Sequence, residues 1–169
     1  MLRGWTDDDV EFVFDLYSRW EVQRFIGRAP RVMADRAEAA DLLGYLKSLE
    51  DPVRGIWAVQ RRNTQQLAGV LLLKSIPASG ELTPLQPSGD TEIGWHFHPD
   101  HWGHGLATEA ASTVLKYAFQ SELTKVVAVV HPANTASQRV ATRIGMTHQG
   151  QTARYYNAMC ELYTATSMP

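Results

Sequence analysis

Apolar residues along the first half of the chain recur with two distinct periods. Val10, Val13, Phe14 and Tyr17 return at helical spacing behind a run of aspartates, which predicts a helix over 7–18. Thr6, with Asp9 three residues on, resembles a capping box in which Asp replaces the usual Glu. A second helix is predicted over 35–49, with Ala39, Leu42, Leu43, Leu46 and Leu49 facing a core and "DPVRG" ending it. The period then shortens. "GIWAVQRR" and "LAGVLLLKSI" read as strands, and the "NTQQ" between them suggests a hairpin. "PASGELTPLQPSGD" reads as a long excursion over 77–90, either a functional lid or simply a mobile segment. "TEIGWHFH" is the third strand, broken by Pro99 and Asp100.

From Leu106 to about Gln120 the stripe is helical again, through Ala110, Val114, Leu115 and Ala118. "KVVAVV" is continuously apolar, as expected of a strand buried on both faces. "NTASQRVATRIG" reads as a short helix with Asn134 as its N-cap and Gly145 as its stop. "MTHQGQTARYY" and "CELYTAT" close the chain as strands. This order predicts a mixed α/β (α+β) layer fold around a central sheet.

Bulk properties narrow the class. A length of 169 residues predicts one domain over 1–169, large enough for a core without disulfides. A formal net charge of -2 and a pI of about 6.3 argue against a nucleic-acid partner. Cys160 is the single cysteine and is expected as a small buried strand residue, with no disulfide within the chain. "MLRGWTDDDVEF" lacks an apolar secretory core, and "AGVLLL" is too short to span a bilayer. No membrane partner and a cytoplasmic location are expected.

Candidate chemistry centres on "HFHPDHWGHG". It holds four of the six histidines, His96, His98, His101 and His104, beside Gly103 and Gly105. The histidines raise a metal site. However, H-x-H-x-x-H-x-x-H is not a zinc helix motif, and only Asp100 could add a ligand, so no metal is expected. The glycines raise an anion site. The first turn of a helix exposes unpaired N–H groups at the positive end of its dipole, where a phosphate binds well. Gly103, His104, Gly105, Leu106, Ala107 and Thr108 would bind through main-chain amides, with a hydroxyl from Thr108. No lysine follows the glycines, so the P-loop template fails. Farther on, Asn134 and Ser137 stand three apart and share a helix face.

Together, "EIGWHFHPDHWGHGLATEAASTVLKYAF" and "VHPANTASQRVATRIGMTHQG" resemble the acetyl-CoA motifs of the GNAT N-acetyltransferases, and more closely the RimJ/RimL-type branch. The opening "TDDDVEFVFDLYSRWEVQRFIG" resembles that branch's first helices. The resemblance implies a mostly antiparallel twisted sheet with helices on both faces, splayed between the strands before and after the main helix. It implies acetyl-CoA as cofactor, and as acceptor partner a primary amine, either a protein N-terminus or a small molecule. The family's pyrophosphate loop falls on Trp102 to Ala107, with Trp102 where Gln or Arg is usual. A strand bulge and backbone contacts to the pantetheine and acetyl group fall on Trp95, His96, Phe97 and His98. Asn134 matches the family's cofactor-contacting asparagine.

The general-acid tyrosine of many members is Ala141 here. In the RimJ/RimL-type branch a serine one turn after the cofactor-contacting asparagine is the proposed thiolate partner, and the resemblance puts Ser137 in this role, with Tyr155 or Tyr156 as the alternative. Glu92 is the candidate base, through a water, or else a solvated strand residue. At i and i+2 spacing, Glu92, His96 and His98 share a strand face, so His96 is the alternative base or proton carrier. At neutral pH roughly one lysine amine in a thousand is unprotonated, against roughly one α-amine in five, so an α-amine needs less help. Ala141 and Trp102 also leave open a non-catalytic acyl-CoA-binding module. Either a monomer or a homodimer is expected. The acceptor pocket is placed among the first helices, the 77–90 loop and the last strands, with Trp20, Trp57, Tyr155 and Tyr156 lining it or serving the core.

Overall fold

The computed structural model describes residues 1–167. Seven strands form one sheet in the order β1-β2-β3-β4-β5-β7-β6. They are β1 (Leu2–Arg3), β2 (Gly55–Gln60), β3 (Leu67–Pro77), β4 (Pro87–Phe97), β5 (Lys125–Val130), β6 (Thr147–Thr152) and β7 (Cys160–Thr166). The helices are α1 (Val10–Tyr17), α2 (Trp20–Gln23), α3 (Arg36–Ser48), α4 (Leu106–Gln120) and α5 (Thr135–Arg143). Every strand pair is antiparallel except β4 with β5, which α4 connects as a crossover.

Strand alternation sorts the side chains onto two faces. Ala58 and Val70 turn toward Val13 and Leu16 of α1 and Leu43 and Leu46 of α3. Leu71, Leu73, Ile93 and Phe97 turn the other way, onto Ala111, Val114 and Ala118 of α4. Helices therefore cover both faces, as expected. Leu71, Leu73 and Ile93 are almost wholly buried, each a contribution of about 1.5–3 kcal/mol. Among the described residues no helix is long and apolar enough to cross a membrane.

Most of the elements read from periodicity are present, with four corrections. The first helix opens as a 3-10 turn over Asp7–Asp9 before α1 begins. Asp9 does accept from the Thr6 N–H at 2.9 Å, but its buried carboxylate also takes two bonds of 2.8 Å from Arg3, tying β1 to α1. The second helix ends at Ser48, and Leu49 is 38% exposed instead of core-facing. Two short elements, β1 and α2, carry too few residues to show a period. Finally, the 77–90 excursion is mostly sheet. The β3–β4 pairing continues to Pro77 opposite Pro87, leaving 78–86 as the loop. Cys160 is buried at the start of β7, as its strand context suggested.

Candidate active site

The site begins where the sheet opens. Strands β4 and β5 are joined at a single position, Glu92 opposite Val127, and diverge beyond it. The His98 N–H donates to the Ala68 carbonyl at 2.9 Å, which fixes the hydrogen-bonding parity of β4. Opposed residues in an antiparallel pair alternate between bonded and non-bonded, so His96 and Gly94 bond to β3. The main-chain groups of Trp95 and Phe97 point the other way, into the split, where β5 no longer meets them. A cleft of about 380 Å³ fills this opening. Gly94, Trp95, His96 and Phe97 line one wall, and Ala128, Val129, Val130 and His131 line the other.

The bulge implied at residues 95–98 is absent. Register runs unbroken from Gly69–Phe97 to Ser75–Thr91, and the irregularity lies between Ser75 and Pro77. The split therefore opens while β4 stays in register with β3.

At the mouth of the cleft, Gly103 and Gly105 hold φ of 77° and 76°, a left-handed backbone that glycine adopts without a Cβ penalty. Gly105 is the N-cap of α4 and has no side chain to satisfy the first turn. A Cβ at either glycine would meet nothing within 4 Å. The first turn of this 15-residue helix has no side-chain cap, and its residues Leu106, Ala107 and Thr108 border the cleft, the setting of an anion site. Gly103, Gly105, Leu106, Ala107 and Thr108 line the cleft. His104 does not, and its side chain is exposed. Trp102 is 46% exposed, and its indole N–H donates to the Phe97 carbonyl at 2.7 Å, pinning the loop to the end of β4.

Helix α5 supplies the facing wall. The Asn134 side chain accepts from the Ser137 N–H at 3.1 Å, so Asn134 caps the helix while also lining the cleft. The Ser137 hydroxyl oxygen accepts from the Trp95 indole at 3.3 Å, which leaves its own hydrogen free. Ala141 is fully buried and turned away from the cleft, and the neighbouring Arg139, Val140 and Arg143 are what this part of α5 presents to it.

On the α1 face, Glu92 is 8% exposed, not solvated. Burial pushes its carboxyl up, against the Tyr156 hydrogen bond and the Lys74 charge, which pull it down. The Tyr156 hydroxyl donates to Glu92 Oε2 at 2.5 Å. His96 meets Tyr17 of α1, and burial, helped by Lys74, pushes its pKa down to about 4. His98 does share this face, but its Nε2 bonds to Asp15 at 3.0 Å and its Nδ1 accepts from the Asp100 N–H. It is buried outside the cleft lining, and its main-chain N–H is spent on Ala68, so His98 is removed from the set that could contact a cofactor. Of the four histidines only His98 and His101 have neighbouring rings, 6.1 Å apart, and among the described residues no three His, Cys, Asp or Glu side chains are placed to hold a metal ion.

Of the aromatic candidates for the acceptor pocket, Trp57 packs edge-on to Tyr117 of α4, on the far face. Tyr155 and Tyr156 donate to Asp90 and Glu92, so neither hydroxyl is directed at Ser137's side of the cleft. Trp20 is 55% exposed, whereas Val22, Phe25 and Ile26 just beyond it line the cleft. The Phe25 ring lies 5.2 Å from that of His131, bridging the split from the α2 side. Tyr17, Lys74 and Phe25 escaped the sequence reading. Tyr17 looked like one more core position of an apolar stripe, and nothing local marked the other two.

A parallel pair that splits beside a glycine-capped helix start defines the GNAT-type acyl-CoA acyltransferase fold. The family model described as an acetyltransferase (GNAT) domain matches residues 1–147, and the chain belongs to this family of acetyltransferase enzymes. The uncharacterized N-acetyltransferase YoaA of Bacillus subtilis is 31% identical over 157 residues, covering 92% of this chain and 83% of the relative. Among solved structures, ribosomal-protein-S5-alanine acetyltransferase from Vibrio fischeri superposes with a TM-score of 0.74 at 16% identity, covering 98% and 91% of the two chains. Spermidine N-acetyltransferase from Vibrio cholerae, solved with CoA and spermine, superposes at 0.72 with 17% identity, covering 98% and 94%. These two likenesses extend to the fold.

Proposed function

We propose that the protein transfers the acetyl group of acetyl-CoA to a primary amine, on the RimJ/RimL-type pattern, with a protein N-terminal α-amine or a small-molecule amine as acceptor. The observation that carries this reading is the pair of unpaired main-chain N–H groups, Trp95 and Phe97, facing the split between Ser137 and Glu92. The cofactor fits the residues present: the open glycine cradle and free amides of α4 suit a pyrophosphate. Bound there, acetyl-CoA supplies an activated acyl thioester.

The residues then divide the work. Gly103, Gly105, Leu106, Ala107 and Thr108 hold the phosphates, and Asn134 orders the start of α5 beside them. An N–H of the β4 edge, at Trp95 or Phe97, donates to the carbonyl oxygen as negative charge develops on it. Glu92 Oε1 takes the proton from the attacking amine, directly or through a water. Ser137, its oxygen held by the Trp95 indole, donates a hydrogen bond to the departing sulfur. His96, neutral and bonded to Tyr17, lines the amine's approach.

Serine at 137 in place of a tyrosine at 141, and the resemblance of the first helices, support the RimJ/RimL branch. A thiol-release assay against N-terminal peptides and free amines tests the reading. Turnover with at least one class, lost in Glu92→Gln, is expected. Tight acetyl-CoA binding with no transfer to any acceptor would overturn it in favour of a binding module.

A further inference from the structure

Tyr155 and Tyr156 are consecutive, yet both reach β4. Consecutive residues of a strand point to opposite faces. Here Tyr156 and Asn157 hold φ of 57° and 53°, a left-handed turn that brings both rings to the same side. Tyr155 donates to Asp90 Oδ2 at 2.7 Å, and Asp90 is also paired with Lys125. Tyr156 donates to Glu92 Oε2, two residues along the same strand face.

The turn is held from outside. The Asn157 side chain accepts at Oδ1 from the Gly80 N–H at 2.8 Å, and its Nδ2 donates back to the Gly80 carbonyl at 2.9 Å. The Asn157 N–H donates to Ser79 Oγ at 2.9 Å, and Ser79 Oγ donates to the Ala153 carbonyl at 2.6 Å. The end of the β3–β4 hairpin and the β6–β7 loop are thereby clasped together. Below them, Lys74 stands opposite Glu92, with its ammonium 5.4 Å from the centre of the Tyr156 ring. Glu92 Oε1 makes no hydrogen bond among the described residues. It is not sealed off either, since the single fully buried, unpartnered side-chain atom among them is His101 Nδ1.

We propose that Tyr156 is a positioning residue for acetyl transfer: its hydroxyl fixes Glu92 by Oε2 so that Oε1 meets the incoming amine, and the Ser79–Asn157 clasp sets Tyr156 in place. This rests on Glu92 as the base. Burial and the Glu92 charge push the Tyr156 phenol far up, so it stays a donor throughout the working range. The phenol's hydrogen bond is also one of the two influences that hold Glu92 down. Removing it raises the Glu92 pKa, and a base must be ionised, so the acid limb of the rate profile moves to higher pH.

The test compares pH profiles of kcat/KM for the parent, Tyr156→Phe, Asn157→Gly, Tyr155→Phe and Glu92→Gln, with the acceptor that gives best turnover. In Tyr156→Phe, kcat falls on the order of tenfold, part of what a general base contributes, while the KM for acetyl-CoA stays put. Its acid limb moves up by about 1–2 pH units, the size of a lost hydrogen bond to a carboxylate. Asn157→Gly keeps the left-handed backbone, loses the side-chain clasp and shifts the limb the same way, which guards against a misfolded Tyr156 variant. Tyr155→Phe leaves the limb where it is. If Glu92→Gln keeps the parent's rate and limb, the base assignment fails and the proposal with it. If Glu92→Gln is inactive but the limbs of Tyr156→Phe and Asn157→Gly coincide with the parent's, the proposal alone is overturned.

Discussion

The Tyr17 hydroxyl stands 2.9 Å from Nδ1 of His96, joining α1 to the edge of the split. Burial pushes the Tyr17 phenol up, so it keeps its hydrogen, and Nδ1 is its one acceptor among the described contacts. The neutral ring then carries its own hydrogen on Nε2. His96 is a donor toward the cleft rather than a base.

With a pKa pushed down to about 4, His96 is neutral throughout pH 6–9 and contributes no limb there. His96→Gln keeps a donor, and kcat is expected to fall less than about tenfold, well short of the loss of a general base. A larger loss, with the acid limb abolished, would restore His96 as base. Stability carries a second sign. The folded pKa lies below the unfolded 6.5, so the unfolded chain takes the proton first as pH falls. This contribution is whole above about 6.5 and is lost toward 4. Thermal melts of His96→Gln should show a flatter decline across that window.

Gly105→Ala tests the anion cradle. The added methyl meets no neighbour, but φ of 76° is strained for alanine, at a cost of about 1 kcal/mol. The methyl also adds bulk at the N-cap of α4, where Gly105 lines the cleft. The KM for acetyl-CoA should rise while kcat changes little. An unchanged KM would move the phosphate site elsewhere.

Ser137→Ala removes the donor to the departing sulfur and leaves the Trp95 indole without its acceptor. A hydrogen bond to a charged group is worth about 1.5–3 kcal/mol, so kcat should drop roughly 10- to 100-fold with KM nearly constant. Pre-steady-state kinetics separates this from slow product release. A variant with the parent's kcat would remove Ser137 from the chemistry.

Gly69→Ala probes the floor of the site from β3. A Cβ there would lie 2.5 Å from the His96 carbonyl oxygen and 2.8 Å from the Phe97 ring. Overpacking of this kind costs about 1–3 kcal/mol. A Tm drop of about 2–12 °C is expected for a chain of this length, with reduced kcat as β4 is displaced. A melt matching the parent's would show that β4 yields freely at this point.

Much of the fold was legible because it is written in local periods. The stripe from Leu106 to Ala118 and the apolar "KVVAVV" each specify an element and its buried positions. The short β1 and α2 span two and four residues, too few for a period to emerge. The hairpin beyond Ile76 was masked by Pro77 and Pro87, which edge and terminal strand positions tolerate.

The site divides in the same way. The sequence alone determined the glycine-capped start of α4 and the Asn134–Ser137 pair, because each is a helix terminus whose chemistry lies within a few residues of the chain. Tertiary structure decided everything on the other face of β4. It sent His98 to Asp15, 83 positions away, gave His96 to Tyr17, 79 away, and set Tyr156 on Glu92, 64 away. Those partners depend on strand order and on how α1 and the β6–β7 loop dock against the sheet, and no local spacing encodes such contacts. The same docking turned Glu92 from a solvated strand residue into a buried carboxyl, since burial is a property of the neighbours a strand acquires.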